Sequence, residues 1–128
     1  MFLKNAWYVA CMPDDFQDKP LGRKICGESM VFYRGAQGQA VALEDFCPHR
    51  GAPLSLGFVK DGNLVCGYHG LEMGCEGKTI AMPGQRVRGF PAIRRFPVVE
   101  RYGFVWVWPG QADKASADLI PKFEFFDN

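Results

Sequence analysis

Two stretches of this chain decide its interpretation: Cys47-Pro48-His49-Arg50-Gly51-Ala52-Pro53-Leu54-Ser55 and, further along, Cys66-Gly67-Tyr68-His69-Gly70. Each stretch pairs one cysteine with one histidine, and together they contain both histidines of the chain. Thiolate sulfur and imidazole nitrogen are common ligands of transition metals in proteins. The pattern therefore predicts a metal centre with four ligands: Cys47, His49, Cys66 and His69.

Two kinds of centre can use two cysteines and two histidines. In one type of [2Fe–2S] cluster, two thiolates bind one iron and two imidazoles bind the other. A structural zinc ion can also take two Cys and two His ligands in a tetrahedral site. Only one residue separates Cys47 from His49, whereas zinc motifs usually place two or more residues between paired ligands. We therefore expect a [2Fe–2S] cluster, with a zinc-stabilised binding module as the alternative.

The other three cysteines, Cys11, Cys26 and Cys75, are interpreted as small buried side chains. Cys75 lies close to the second pair in sequence, which leaves open a role as an additional ligand. An odd cysteine count of five argues against a disulfide framework and favours a reducing compartment.

Composition excludes several other classes of function. The 128 residues are 48% hydrophobic and carry a net charge of only +1, which argues against nucleic acid as a partner. No apolar run approaches the roughly 20 residues that a membrane span needs. Met1 to Ala10 lack the apolar core of a signal peptide. We therefore expect a cytoplasmic protein with no membrane or nucleic-acid partner.

Short runs rich in β-branched and aromatic residues, separated by glycine and proline, predict an all-β fold of the sandwich or barrel type. Hairpin loops are predicted at residues 35–38, 61–63 and 75–77, and at most a short helix at 112–120. The predicted strands are Trp7–Cys11, Arg23–Cys26, Met30–Tyr33, Ala40–Glu44, Leu64–Val65, Leu71–Met73, Lys78–Ile80, Arg94–Arg101 and Phe104–Trp108.

The two cysteine–histidine stretches resemble the Rieske domains of aromatic-ring oxygenases. Asn-Ala-Trp-Tyr-Val-Ala at 5–10 and Arg-Tyr-Gly-Phe-Val-Trp-Val-Trp-Pro-Gly at 101–110 narrow the resemblance to oxygenases of the vanillate O-demethylase type. The resemblance implies one Rieske domain over residues 1–128, an antiparallel β-sandwich with a small cluster-binding subdomain of two hairpin loops at about 45–84. Met82-Pro83-Gly84-Gln85 resembles a third loop that covers the cluster.

The resemblance also implies a function. Such a domain takes electrons from a reductase that carries flavin and a plant-type [2Fe–2S] centre. It passes them to a mononuclear iron that uses O₂ to demethylate a methoxy-aromatic acid. The outer nitrogen of His69 would face that iron, bridged by an acidic residue of a neighbouring subunit in a homotrimer.

A mononuclear non-haem iron site needs two histidines and a carboxylate. Both histidines of this chain are already assigned to the cluster, so we expect no catalytic residues here. The mononuclear iron is expected in a C-terminal catalytic domain that is not present in this chain. The alternative is a stand-alone Rieske ferredoxin that serves a separate enzyme.

Overall fold

Antiparallel strand pairing accounts for the architecture of the computed structural model, which describes residues 3–49, 51–67, 69–84 and 90–121. The helical elements within those residues are short 3-10 turns at Pro13–Phe16, Leu54–Leu56, Ala112–Lys114 and Ala117–Leu119. The strands within them are β1 (Tyr8–Cys11), β2 (Leu21–Ile25), β3 (Glu28–Arg34), β4 (Ala40–Glu44), β5 (Phe58–Lys60), β6 (Asn63–Val65), β7 (Glu72–Met73), β8 (Thr79–Ala81), β9 (Arg95–Phe96), β10 (Val98–Arg101) and β11 (Phe104–Val107).

The strands form three sheets, of which the central one separates two cores. The outer sheet has the order β1-β11-β10, the central sheet β2-β3-β4-β9, and the small sheet β5-β6-β7-β8. Met30 and Phe32 of β3 pack in a core with the outer sheet, whereas Val31 and Tyr33 pack in a core with the small sheet. All four side chains are fully buried, and burying a large apolar side chain contributes about 1.5–3 kcal/mol. The central sheet therefore contributes buried side chains to both cores and packs directly against the small sheet.

The predicted all-β class is confirmed, and the prediction of Ala40–Glu44 matches β4 at both ends. The predicted strand Arg94–Arg101 is wrong as a single element, because β9 pairs with β4 and β10 pairs with β11. Pro97 stands between them and has no N–H to continue a ladder, so the chain changes sheet there. Strand β5 was not predicted.

The three predicted hairpin loops are confirmed. Gly35 N–H donates to Gln39 O at 2.9 Å, and Gly77 N–H donates to Gly74 O at 3.0 Å. Asp61 and Gly62 have φ of 52° and 79°, the left-handed pair that closes a two-residue hairpin between β5 and β6.

The predicted helix at 112–120 is two separate 3-10 turns instead. No helix within the described residues is long and apolar enough to cross a membrane.

Candidate metal centre

The first cysteine–histidine loop leaves the end of β4 and is closed by a reciprocal pair of backbone hydrogen bonds. Cys47 N–H donates to Ala52 O at 2.8 Å, and Gly51 N–H donates back to Cys47 O at 2.7 Å. Gly51 has a φ of +77°, a conformation that a residue with a side chain adopts only with strain. The result is a tight loop with Cys47 at its base and His49 near its tip.

The second loop, between β6 and β7, repeats this hydrogen-bond scheme. Cys66 N–H donates to Leu71 O at 2.8 Å, and Gly70 N–H donates to Cys66 O at 3.0 Å. Gly70 has a φ of +74°, in the same position relative to its cysteine as Gly51. The two loops are therefore equivalent in backbone bonding, although one residue separates Cys from His in the first loop and two residues in the second.

The structure brings the predicted ligands together in two pairs. Cys47 and Cys66 are each only 1% exposed and belong to the same core cluster. The rings of His49 and His69 lie with centroids 5.0 Å apart, edge to face. His49 is half-buried beside the ring of Phe90, whereas His69 is exposed. The thiols thus lie on the core side of the site and the imidazoles on the solvent side.

The two loops touch through glycines that leave no room for a side chain. A Cβ on Gly57, just after the first loop, would collide with Val65 O and lie 3.0 Å from Gly67 N. A Cβ on Gly67 would lie 3.0 Å from Leu56 O. The sequence shows these glycines but not the backbone atoms that approach them, which is why this contact was not predicted.

A third segment packs on the second loop. Met82 is buried in the core cluster that contains both cysteines, and a Cβ on Gly70 would meet Pro83 Cγ at 2.8 Å. This contact agrees with the predicted covering loop at Met82 to Gln85, although Gln85 lies outside the described residues.

The donor set fits a two-iron cluster. Two buried thiols can bind the iron nearer the core, and two imidazoles near the surface can bind the outer iron. Within the described residues, no three His, Cys, Asp or Glu side chains form a group suited to a single metal ion. A two-iron cluster does not require such a group, because each iron takes only two protein ligands.

The remaining three cysteines lie outside the two loops, and Cys75 packs at the edge of the core cluster that contains Cys47 and Cys66. Burial, together with the nearby Asp15 carboxylate, raises the pKa of Cys11 to about 11, so this thiol stays protonated at neutral pH. Cys26 is buried in the turn between β2 and β3. Cys75 follows the opposite end of β7 from Cys66, and its thiol donates to Gly62 O at 3.5 Å. The structure therefore supports packing roles for these thiols, and Cys75 is not placed among the candidate ligands.

The chain belongs to the Rieske [2Fe–2S] domain family, whose family model matches residues 6–97. Membership in this family assigns the cofactor class as a [2Fe–2S] cluster and decides against the zinc alternative.

Within that family the chain is 70% identical, over all 128 residues, to the vanillate O-demethylase oxygenase subunit of Pseudomonas sp. (strain HR199 / DSM 7063), of which it covers 36%. It is 46% identical over 126 residues to the oxygenase component of dicamba O-demethylase from Stenotrophomonas maltophilia. This match covers 95% of this chain and 37% of that protein. The crystal structure of dicamba monooxygenase bound to dicamba superposes with a TM-score of 0.90 and 43% identity, covering 99% of this chain and 39% of the other. The chain thus spans little more than a third of these relatives, which are oxygenase components rather than stand-alone ferredoxins.

Proposed function

We propose that this chain is the electron-transfer domain of a vanillate O-demethylase-like aromatic oxygenase. Residues 1–128 form one Rieske domain, in which Cys47, His49, Cys66 and His69 hold the [2Fe–2S] cluster. Its electrons come from a reductase with flavin and a plant-type [2Fe–2S] centre. They go to a mononuclear non-haem iron, in a catalytic domain outside this chain, that demethylates a methoxy-aromatic acid with O₂. The names of the two O-demethylase relatives support this assignment.

The observation that carries the proposal is that the two loops bring like residues together. The buried thiols of Cys47 and Cys66 belong to one core cluster, and the rings of His49 and His69 lie with centroids 5.0 Å apart. When bound, a Rieske cluster supplies a one-electron couple at a potential set by its ligands and surroundings. The cysteines keep one end of the site away from water, and the exposed imidazole of His69 is the ligand that a docked partner can touch.

The partners follow from the same proposal. The relatives are named as subunits or components of oxygenases, and a component must meet another protein to receive electrons. In the full-length protein the domain packs with its own catalytic domain and with a neighbouring subunit of a homotrimer. We also place the protein in the cytoplasm, a proposal that is supported by five cysteines of which none forms a disulfide.

The test has two parts. Iron-replete protein should contain about two irons and about two acid-labile sulfides per chain, with a Rieske-type EPR signal after dithionite reduction. The full-length oxygenase with its reductase, O₂ and a methoxy-aromatic acid should release formaldehyde as the methoxy group is lost. Zinc without sulfide would contradict the site, and a loaded full-length protein that leaves methoxy-aromatic acids unchanged would contradict the oxygenase assignment.

An exposed apolar surface beside the loops provides a test of partner docking. Leu56 is 78% exposed on the rim of an apolar hollow of about 320 Å³, which is also lined by Ala52, Pro53 and Gly67. Leu56→Asp should slow reduction of the cluster by the reductase about tenfold, or about 1.4 kcal/mol, because docking would bring the new carboxylate against an apolar contact and remove it from water. Stopped-flow absorbance of the cluster measures this rate.

Leu119→Asp is the matched control, because Leu119 is 60% exposed in the last 3-10 turn, outside residues 45–84. This variant should be reduced at the wild-type rate. Equal slowing in the two variants would mean that the added charge, rather than the surface near the cluster, controls the reaction.

A further inference from the structure

A carboxylate and a hydroxyl join the two ends of the first cluster-binding loop. Ser55 donates to Asp45 twice, from its N–H to Oδ1 at 2.7 Å and from its Oγ to Oδ2 at 2.6 Å. Asp45 precedes Cys47 by two residues, and Ser55 follows the loop within the 3-10 turn Leu54–Leu56. The pair therefore encloses both candidate ligands of this loop in one hydrogen-bonded ring.

Both ends of this ring are attached to the rest of the molecule. Asp45 N–H donates to Ser29 O at 2.9 Å, which fixes the backbone of Asp45 to the central sheet. Ser55 lies two residues before Gly57, whose backbone packs against Val65, at the end of β6, and Gly67 of the second loop. The Asp45–Ser55 pair thus links the central sheet to the contact between the two loops.

A glycine in β2 leaves room for the Asp45–Ser55 pair. Gly22 of β2 lies against it, and a Cβ at this position would come within 2.9 Å of Ser55 Oγ and 3.3 Å of Asp45 Oδ2. Both residues are half-buried, where hydrogen bonds to a charged group are stronger than those at an exposed surface.

We propose that Asp45 and Ser55 form a clamp that keeps the first loop closed and so controls how firmly the cluster is retained. Both are positioning residues, and the proposal rests on the proposed function for its cluster. Ligand residues need a supporting layer of hydrogen bonds to hold their geometry. An opened clamp leaves the two ends of the loop that carries Cys47 and His49 without a side-chain link between them.

Three variants test the clamp. Ser55→Ala removes the Oγ donor, Ser55→Thr restores a hydroxyl, and Ser116→Ala removes another serine hydrogen bond, the one that Ser116 Oγ accepts from Asp118 N–H. Cluster loss is followed by visible circular dichroism during challenge with an iron chelator, well below the unfolding temperature. In the same preparations, hydrogen–deuterium exchange is measured for the amides of residues 46–54.

The Ser55→Ala protein should lose its cluster at least about tenfold faster than wild type, with faster exchange at residues 46–54 and unchanged exchange in β3. Ser55→Thr should return both quantities toward wild type, and Ser116→Ala should leave both unchanged. Cluster loss in Ser55→Ala within twofold of Ser116→Ala, or unchanged exchange at 46–54, would overturn the clamp. Hydrogen–deuterium exchange reports on the clamp even in protein that holds no cluster. A wild-type protein that binds no cluster would therefore contradict the proposed function and leave the test of the clamp intact.

Discussion

Cys66→Ala should leave the purified protein with less than about one tenth of its iron and acid-labile sulfide, because the lost thiolate is half of the ligand set of one iron. Cys66 is 1% exposed in the core cluster that also holds Cys47, so water cannot easily replace the missing sulfur. Iron and sulfide analysis, together with the loss of the visible spectrum, measures the effect. Cys47→Ala should give the same result, since both thiols are buried in the same core cluster and are proposed to bind the same iron.

Cys75→Ala is the control for the general effect of removing a thiol. Cys75 follows β7, at the end opposite to the second loop, and its sulfur contacts Gly62 O of the β5–β6 turn, so this variant should keep the wild-type iron and sulfide. Loss of the cluster in Cys75→Ala as severe as in Cys66→Ala would mean that the proposed cysteine ligands are wrongly assigned. Cysteine content alone cannot make this distinction, because none of the five cysteines forms a disulfide that would set it apart from the others.

The cysteine–histidine motif and the turn residues carried most of what could be predicted from sequence. Each pair lies in a short loop, and the rings of His49 and His69 lie with centroids 5.0 Å apart. The hairpin at Asp61-Gly62 was predictable because few residue pairs other than such a dipeptide tolerate two left-handed conformations in succession.

Strand β5 and the division of residues 94–101 were not predictable in the same way. Phe58–Lys60 is only three residues long, and its pairing with β6 is created by the turn and by the partner strand rather than by local propensity. Arg95–Phe96 and Val98–Arg101 together show one extended pattern, yet tertiary packing assigns them to different sheets. Pro97 was the available signal, since proline interrupts a ladder.

The equivalence of the two loops could not be inferred from spacing. The Cys–His separations differ, so the sequence indicates two different loops, whereas the backbone gives Cys47 and Cys66 the same pair of hydrogen bonds. Likewise, Asp45 and Ser55 are ordinary surface residue types, and only the path of the chain between them brings the carboxylate to the hydroxyl. Such contacts depend on which loop ends meet, and that is a property of the fold.

Gly57→Ala should separate the two loops, because its methyl group would occupy the position of Val65 O and press on Gly67 N. Neither is the flexible end of a side chain, so relief requires movement of the backbone that carries Cys66. Overpacking a well-packed site usually lowers the free energy of unfolding by about 1–3 kcal/mol. Because the neighbours of this methyl group are backbone atoms, we expect a loss at or above the upper end of that range. A loss of about 3 kcal/mol corresponds to a decrease in melting temperature of roughly 10 °C for a domain of this size. We expect the variant to lose most of its cluster as well.

Gly74→Ala separates this steric effect from the general cost of replacing a glycine. Gly74 lies in the turn after β7, and its added Cβ would lie 3.3 Å from Cγ2 of Ile80 and in ordinary van der Waals contact with Lys78 O, at 3.8 Å. That methyl group can rotate away, so melting temperature and iron content should stay close to wild type. A Gly57→Ala protein as stable and as iron-rich as Gly74→Ala would show that the first loop can move from the second without cost. The cluster would then be held by its ligands alone, because direct packing between the loops would add nothing to its retention.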